Sequence, residues 1–141
     1  MTYKRILLAT DFSEMSRHAL EMAANLGRQL KAEVHALHVR TPDDDQPTAE
    51  QELEAAIPPA YTDVITERQT CRATRPELGI IRTAREGEFD LIVLGTHGRT
   101  GLKHVVMGSV AERVVQLAGC PVLTVRQPGH EFEHPSETSH A

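Results

Sequence analysis

The chain is predicted to fold as a doubly wound α/β domain around one five-stranded parallel sheet, and three observations lead there. Two short apolar runs, Ile6-Leu7-Leu8-Ala9 and Leu91-Ile92-Val93-Leu94 (the second entered from Asp90), are too short for most helices and end at turn residues. Such runs read as strands buried on both faces, as in a parallel sheet. Strand-like and helix-like segments alternate along the chain, five of the first with four of the second, which is the pattern of a layered α/β sandwich. A third strand-like run, residues 64–73, is rich in β-formers yet polar (Thr66, Glu67, Arg68, Gln69, Thr70), so it belongs at an edge. Running the first three strands outward and placing the fourth on the other side of strand one gives the order 3-2-1-4-5.

Taken in order, the first strand ends at Thr10-Asp11-Phe12-Ser13, where Ser13 is expected to cap a helix carrying Ala19, Met22, Ala23, Leu26 and Leu30 on one face. The segment 33–39 alternates and then turns apolar, giving strand two. Residues 41–47, with Asp43-Asp44-Asp45 between prolines, are expected to be an exposed loop. Residues 48–57 form a short acidic helix with Leu53, Ala56 and Ile57 inward, stopped by Pro58-Pro59. Pro76 opens a helix through Leu78, Ile81 and Ala84 that Gly87 closes. Strand four leads through a glycine-bearing loop to a last helix. There Ser109 and Glu112 have capping-box spacing and Val110, Val114, Leu117 and Ala118 share an apolar face. Residues 121–125 are strand five, and residues 127–141, polar and proline-bearing, are expected to be a disordered tail after a folded domain of residues 1–126.

With 141 residues the chain has enough material for one core without staples. Its formal net charge of −5, with no basic patch interleaved with aromatics, argues against a general nucleic-acid binder. Arg82, Arg85, Arg99 and Lys103 remain available for a local positive site. Two cysteines, Cys71 and Cys120, make no disulfide framework and suit a reducing compartment. No segment has the length of a membrane span and the N-terminus has no signal-peptide core, so a cytoplasmic location is expected.

In open α/β sheets ligands bind beyond the strand C-termini, where the winding reverses. Here that crevice lies between strands one and four, flanked by Ala9 to Ser13 (with Thr10 and Asp11) on one side and by Gly95 to Ser109 (with Met107 and Gly108) on the other. Strand, glycine loop and helix start present backbone N–H groups and a helix's positive end to an anion, and phosphate is the expected one. The loop fits neither the dinucleotide fingerprint nor the Walker P-loop. It has instead Gly95-x-x-Gly98, nine residues, then Gly108-Ser109.

That spacing resembles the signature of the universal stress protein family, specifically its nucleotide-binding branch. Thr10-Asp11-Phe12-Ser13, the segment 109–114 and Cys120-Pro121-Val122 are similar to the family as well, over about residues 3 to 126. The resemblance implies a Rossmann-like fold of the adenine-nucleotide-alpha-hydrolase type with ATP or AMP in the crevice. By its implication Asp11 contacts the ribose or adenine end and Val39 the adenine through its backbone. Gly95 and Gly98 let the loop approach the phosphates, which Gly108, Ser109 and Val110 cradle. Several relatives carry a hydroxyl where this chain has Ala111. The choice between ATP, ADP and AMP, and an accompanying Mg²⁺, therefore stay open. The resemblance also implies a homodimer through strand five, residues 121–125, whose apolar edge invites pairing.

Simpler roles stand beside these. Gly95 and Gly108 also suit the ends of structural elements; Ser109 either caps its helix or meets phosphate, since both use the same N–H groups. Asp11 is a turn residue or a ribose acceptor, and Arg99 a phosphate contact or a solvated charge. His97 either touches the ligand or shapes the loop. His35 and His38 point to opposite faces of one strand and cannot share a metal. No nucleophile is paired with a base, and no second carboxylate accompanies Asp11. A nucleotide-binding stress-response protein is therefore the expected class, and slow ATP hydrolysis or autophosphorylation in the same crevice is the alternative.

Overall fold

A computed structural model describes residues 2–42, 44–97 and 107–126. Strands β1 (Arg5–Ala9), β2 (Glu33–Arg40), β3 (Ile65–Arg72), β4 (Leu91–Gly95) and β5 (Val122–Val125) form one sheet in the order β3-β2-β1-β4-β5. Every pairing is parallel, with Leu7 beside His35 on one flank and Ile92 on the other. β1 and β4 are central because both of their faces are apolar, and polar β3 takes the edge. Asp90 locks their starting register: one carboxylate oxygen accepts the N–H groups of Lys4 and Arg5, each at 2.9 Å.

Helices α1 (Glu14–Leu30) and α2 (Gln46–Ala56) cover one face, against Ile6, Leu8, Val34 and Val93. Helices α3 (Pro76–Glu86) and α4 (Ser109–Leu117) cover the other, against Leu7, Leu37, Ile92 and Leu94. Both faces are thus dry, and the strand C-termini open together at one end of the sandwich.

The helices sit rotated from the faces that hydrophobicity picks out. α1 buries Ser16, Ala19, Leu20, Ala23, Ala24 and Gly27 and leaves Met22 and Leu30 exposed. Close approach selects the small residues: a β-carbon on Gly27 would lie 2.7 Å from Val34 Cγ2. α3 likewise buries Gly79 and Ile80 rather than Leu78, because Gly79 lies directly over Val39. In α4, Ala111 and Val114 are buried while Leu117 faces out. α2 begins earlier than expected, at Gln46, because the Asp45 carboxylate caps it by accepting the Thr48 N–H at 3.2 Å. The tail reading falls on residues 127–141, outside the described residues.

Candidate functional site

The crevice begins where β1 ends. Thr10 is buried and continues the ladder, its N–H donating to the Leu37 carbonyl at 2.9 Å. The chain then reverses through Phe12, which holds a left-handed φ of 67°. Side chains of the turn stabilise that reversal. Asp11 Oδ1 accepts the Ser13 N–H at 3.0 Å and the Ser16 hydroxyl at 2.6 Å, while Ser16 Oγ accepts the Asp11 N–H at 3.1 Å. Ser13 caps α1 as expected, accepting from the Ser16 N–H. Asp11 is therefore a turn-building residue that also lines the crevice.

The end of β2 supplies the second wall. The Nδ1 of His38 lies 2.8 Å from the Thr10 carbonyl oxygen, and its ring packs on Phe12 with centroids 4.3 Å apart. His35 points the other way, edge-on to Phe89, so the two histidines lie on opposite faces. Past Val39, the segment expected to be an exposed loop folds back as a turn: Asp44 N–H donates to the Thr41 carbonyl, and Asp44 Oδ2 accepts the Thr41 N–H, both at 3.0 Å. This brings Asp44 into the same cavity as Asp11, correcting the expectation that Asp11 has no carboxylate companion.

The third wall is the end of β4. Thr96 is buried and its N–H donates to the Val125 carbonyl at 3.0 Å; its hydroxyl lies 3.3 Å from His97 Nδ1. Gly108 returns beside it, donating its N–H to the Thr96 carbonyl, and α4 starts one residue later. The capping-box expectation needs correction here. Gly108 is the N-cap, in extended backbone (φ −67°, ψ 158°), and among the described residues no side chain caps α4. Ser109 is the first helical residue, so its hydroxyl is not used as a cap. The N–H groups at this helix start have no intrahelical acceptor by construction. Gly108, Ser109 and Val110 at this helix start line the crevice.

Together these walls enclose a cavity of about 260 Å³. Ala9, Thr10, Asp11, Val39 and Gly95 from the expected set line it with those three residues. Met107 does not line it and is partly buried against the α3–α4 core. Gly98 and Arg99, also expected here, lie outside the described residues. Among the lining residues that sequence reasoning missed are His38, Thr41, Asp44, Pro76 and Ile80. They come from three different segments, and no local spacing signals their convergence. Among the described residues no group of three or more His, Cys, Asp or Glu side chains is placed to hold a metal ion.

Sheet order, switch-point crevice and helix mouth define a doubly wound α/β domain with a ligand cavity at its topological switch point. Residues 2–126 match the sequence model of the universal stress protein family. The chain belongs to that family. Universal stress protein MJ0531 of Methanocaldococcus jannaschii is 32% identical over 149 residues, spanning 92% of this chain and 85% of the relative. The solved structure of MJ0577 from the same organism superposes with a TM-score of 0.81 at 28% identity, over 92% of this chain and all of that one (100%). A universal stress protein from Archaeoglobus fulgidus, solved in complex with dAMP, superposes with a TM-score of 0.69 at 26% identity, covering 89% of this chain and 99% of its own.

Proposed function

We propose that this protein binds an adenine nucleotide in the switch-point cavity and uses its occupancy to regulate a stress response, as a cytoplasmic homodimer paired through β5. One observation carries the reading. The cavity runs between an apolar floor with carboxylates at its rim (Leu37, Val39 and Ile80 with Asp11 and Asp44) and the uncapped mouth of α4 at Gly108, Ser109 and Val110. A nucleotide has the matching polarity: a flat base and a hydroxyl-bearing sugar at one end, an anion at the other. The apolar floor suits the base, Asp11 and Asp44 offer acceptors for sugar hydroxyls, and the helix mouth suits the phosphate. The relative solved with dAMP supports the ligand class.

In this reading Val39 meets the adenine through its backbone, and Ala9, Thr10 and Asp11 hold the nucleoside. Gly95, Gly98, Arg99 and Met107 belong to the connection that follows the phosphates, and Gly108, Ser109 and Val110 bind them. ATP and AMP both satisfy this scheme, with or without Mg²⁺.

The test is mass spectrometry of the small molecule that copurifies, followed by calorimetry with AMP, ADP, ATP and GMP. An adenine nucleotide in the sample, micromolar binding of at least one adenine nucleotide and no binding of GMP are expected. A sample that carries none and binds none contradicts the proposal. Phosphate release measured on the same sample decides the alternative of slow ATP hydrolysis.

A further inference from the structure

His38 is the group in the cavity wall that the nucleotide reading leaves without a task. The residue is only 3% exposed. Because the Thr10 carbonyl oxygen 2.8 Å from Nδ1 only accepts, Nδ1 carries a proton in both charge states of the ring. Nε2 is buried and has no hydrogen-bond partner among the described residues. It faces Asp44 Oδ2 at 3.5 Å, the same oxygen that accepts the Thr41 N–H. A neutral imidazole therefore turns a lone pair towards a carboxylate, whereas an imidazolium turns an N–H towards it. Histidine is the side chain whose charge ordinarily changes between pH 5 and 8.

Of the charged groups near the ring, Arg40 follows two residues along β2 on the same face of the strand, its Nε buried, and Asp44 is the anion that Nε2 meets. Opposite His38 on β3 stands Thr70, which does not titrate. Arg68, two residues before Thr70 on that strand, lies 3.5 Å from Glu54 of α2. From the β1–α1 turn comes Asp11, engaged with Ser13 and Ser16. His97 lies on the β4 side of the cavity beside Thr96.

We propose that His38 is a positioning residue of this site, a proton-operated latch whose imidazolium ties the turn at Thr41 and Asp44 to the β1–α1 turn through Thr10. The inference rests on the nucleotide reading for its consequence, because the two tied segments are the walls assigned to the nucleoside. With the latch closed, Thr10, His38 and Asp44 form one continuous chain across two strand ends. With His38 neutral that tie is lost, and the Asp44 wall keeps its bonds to Thr41 without the link to β1. Nucleotide binding then takes up a proton, and affinity rises as pH falls through the histidine range.

Two measurements on the full chain test it. The first needs no nucleotide: the imidazole resonances of His38 are followed by NMR from pH 5 to 8.5 in the wild type and in Asp44→Asn. The substituted amide keeps an oxygen for the Thr41 N–H but removes the charge. In Asp44→Asn the His38 imidazole resonances are expected to change at lower pH than in the wild type, because the neighbouring negative charge is gone. An unmoved titration overturns the latch.

The second is the Kd for AMP at pH 5.5 and 8.0 in the wild type, Asp44→Asn and His38→Asn. An asparagine amide can still donate to the Thr10 carbonyl but does not titrate. Comparing proteins at equal pH cancels the titration of AMP's own phosphate. For both variants the ratio of variant Kd to wild-type Kd is expected to be roughly threefold to tenfold larger at pH 5.5 than at pH 8.0, and Asp44→Asn carries in addition a pH-independent loss from its place beside the sugar. A pH-dependent ratio for His38→Asn but not for Asp44→Asn overturns the latch in favour of direct attraction between imidazolium and ligand. If His38→Asn does not fold, Asp44→Asn on the turn beyond β2 carries the test. Absence of binding of AMP, ADP and ATP alike by the wild type overturns the nucleotide reading, and the NMR comparison still decides the latch.

Discussion

Gly95 lies directly under Met15: a β-carbon built on it would come within 2.5 Å of Met15 Cγ and 3.1 Å of Met15 Cβ. The glycine that ends β4 is thus demanded by α1 packing on the sheet, independently of any ligand. Gly95→Ala is expected to destabilise the fold by about 1–3 kcal/mol through overpacking. Urea denaturation monitored by circular dichroism checks this. An unchanged midpoint contradicts the packing role, and any loss of binding in this variant has to be corrected for its stability.

Gly108 is different. Its backbone is extended, a conformation open to any residue, and its side of the helix mouth lines the cavity. Gly108→Val is expected to lower nucleotide affinity at least tenfold, about 1.4 kcal/mol, with the unfolding transition still cooperative. Calorimetry and thermal denaturation on the same sample separate the two effects. Retained affinity counts against the phosphate assignment.

Asp11 has two tasks that substitution can separate. Its Oδ1 holds Ser13 and Ser16, so Asp11→Ala is expected to cost roughly 1–3 kcal/mol of stability as well as affinity. Asp11→Asn keeps an acceptor oxygen for the turn and is expected to recover most of the stability but not the affinity. Equal stability of Ala and Asn variants contradicts the turn assignment.

Much of this architecture was legible because the strands are short and their chemistry is extreme. The runs at residues 6–9 and 91–94 have no polar face to offer solvent, and β3 has too much polarity to be central, so the sheet order followed. The helix faces were less legible, since hydrophobicity favours Met22 and Leu78 where the sheet's proximity demands Gly27 and Gly79. At the site, the glycine spacing pointed to Gly95 and Gly108 as a pair. Their physical roles differ: one makes room for Met15, the other occupies the N-cap position of α4 and leaves the helix start without a side-chain cap among the described residues. Asp44 and Thr41 escaped notice because a single carboxylate–amide turn, with no sequence period, draws them inward.

Burial pushes the Cys120 thiol up from its ordinary value, and the negative charge of Asp90 adds to the effect. The folded state therefore favours the neutral thiol. This contribution to stability is present below the ordinary thiol range and is lost as pH rises through the elevated value. Alkylation by iodoacetamide between pH 7 and 9, followed by mass spectrometry, is expected to be slower at Cys120 than for a free cysteine peptide. A rate equal to the peptide's contradicts this.

A crystal structure of the protein with AMP tests the central claim most directly. The account predicts the phosphate within hydrogen-bond distance of the backbone N–H groups of Ser109 and Val110 and against the Gly108 backbone, and the base against Val39. A cavity that stays empty at saturating AMP and at saturating ATP, or a nucleotide bound elsewhere on the domain, contradicts it.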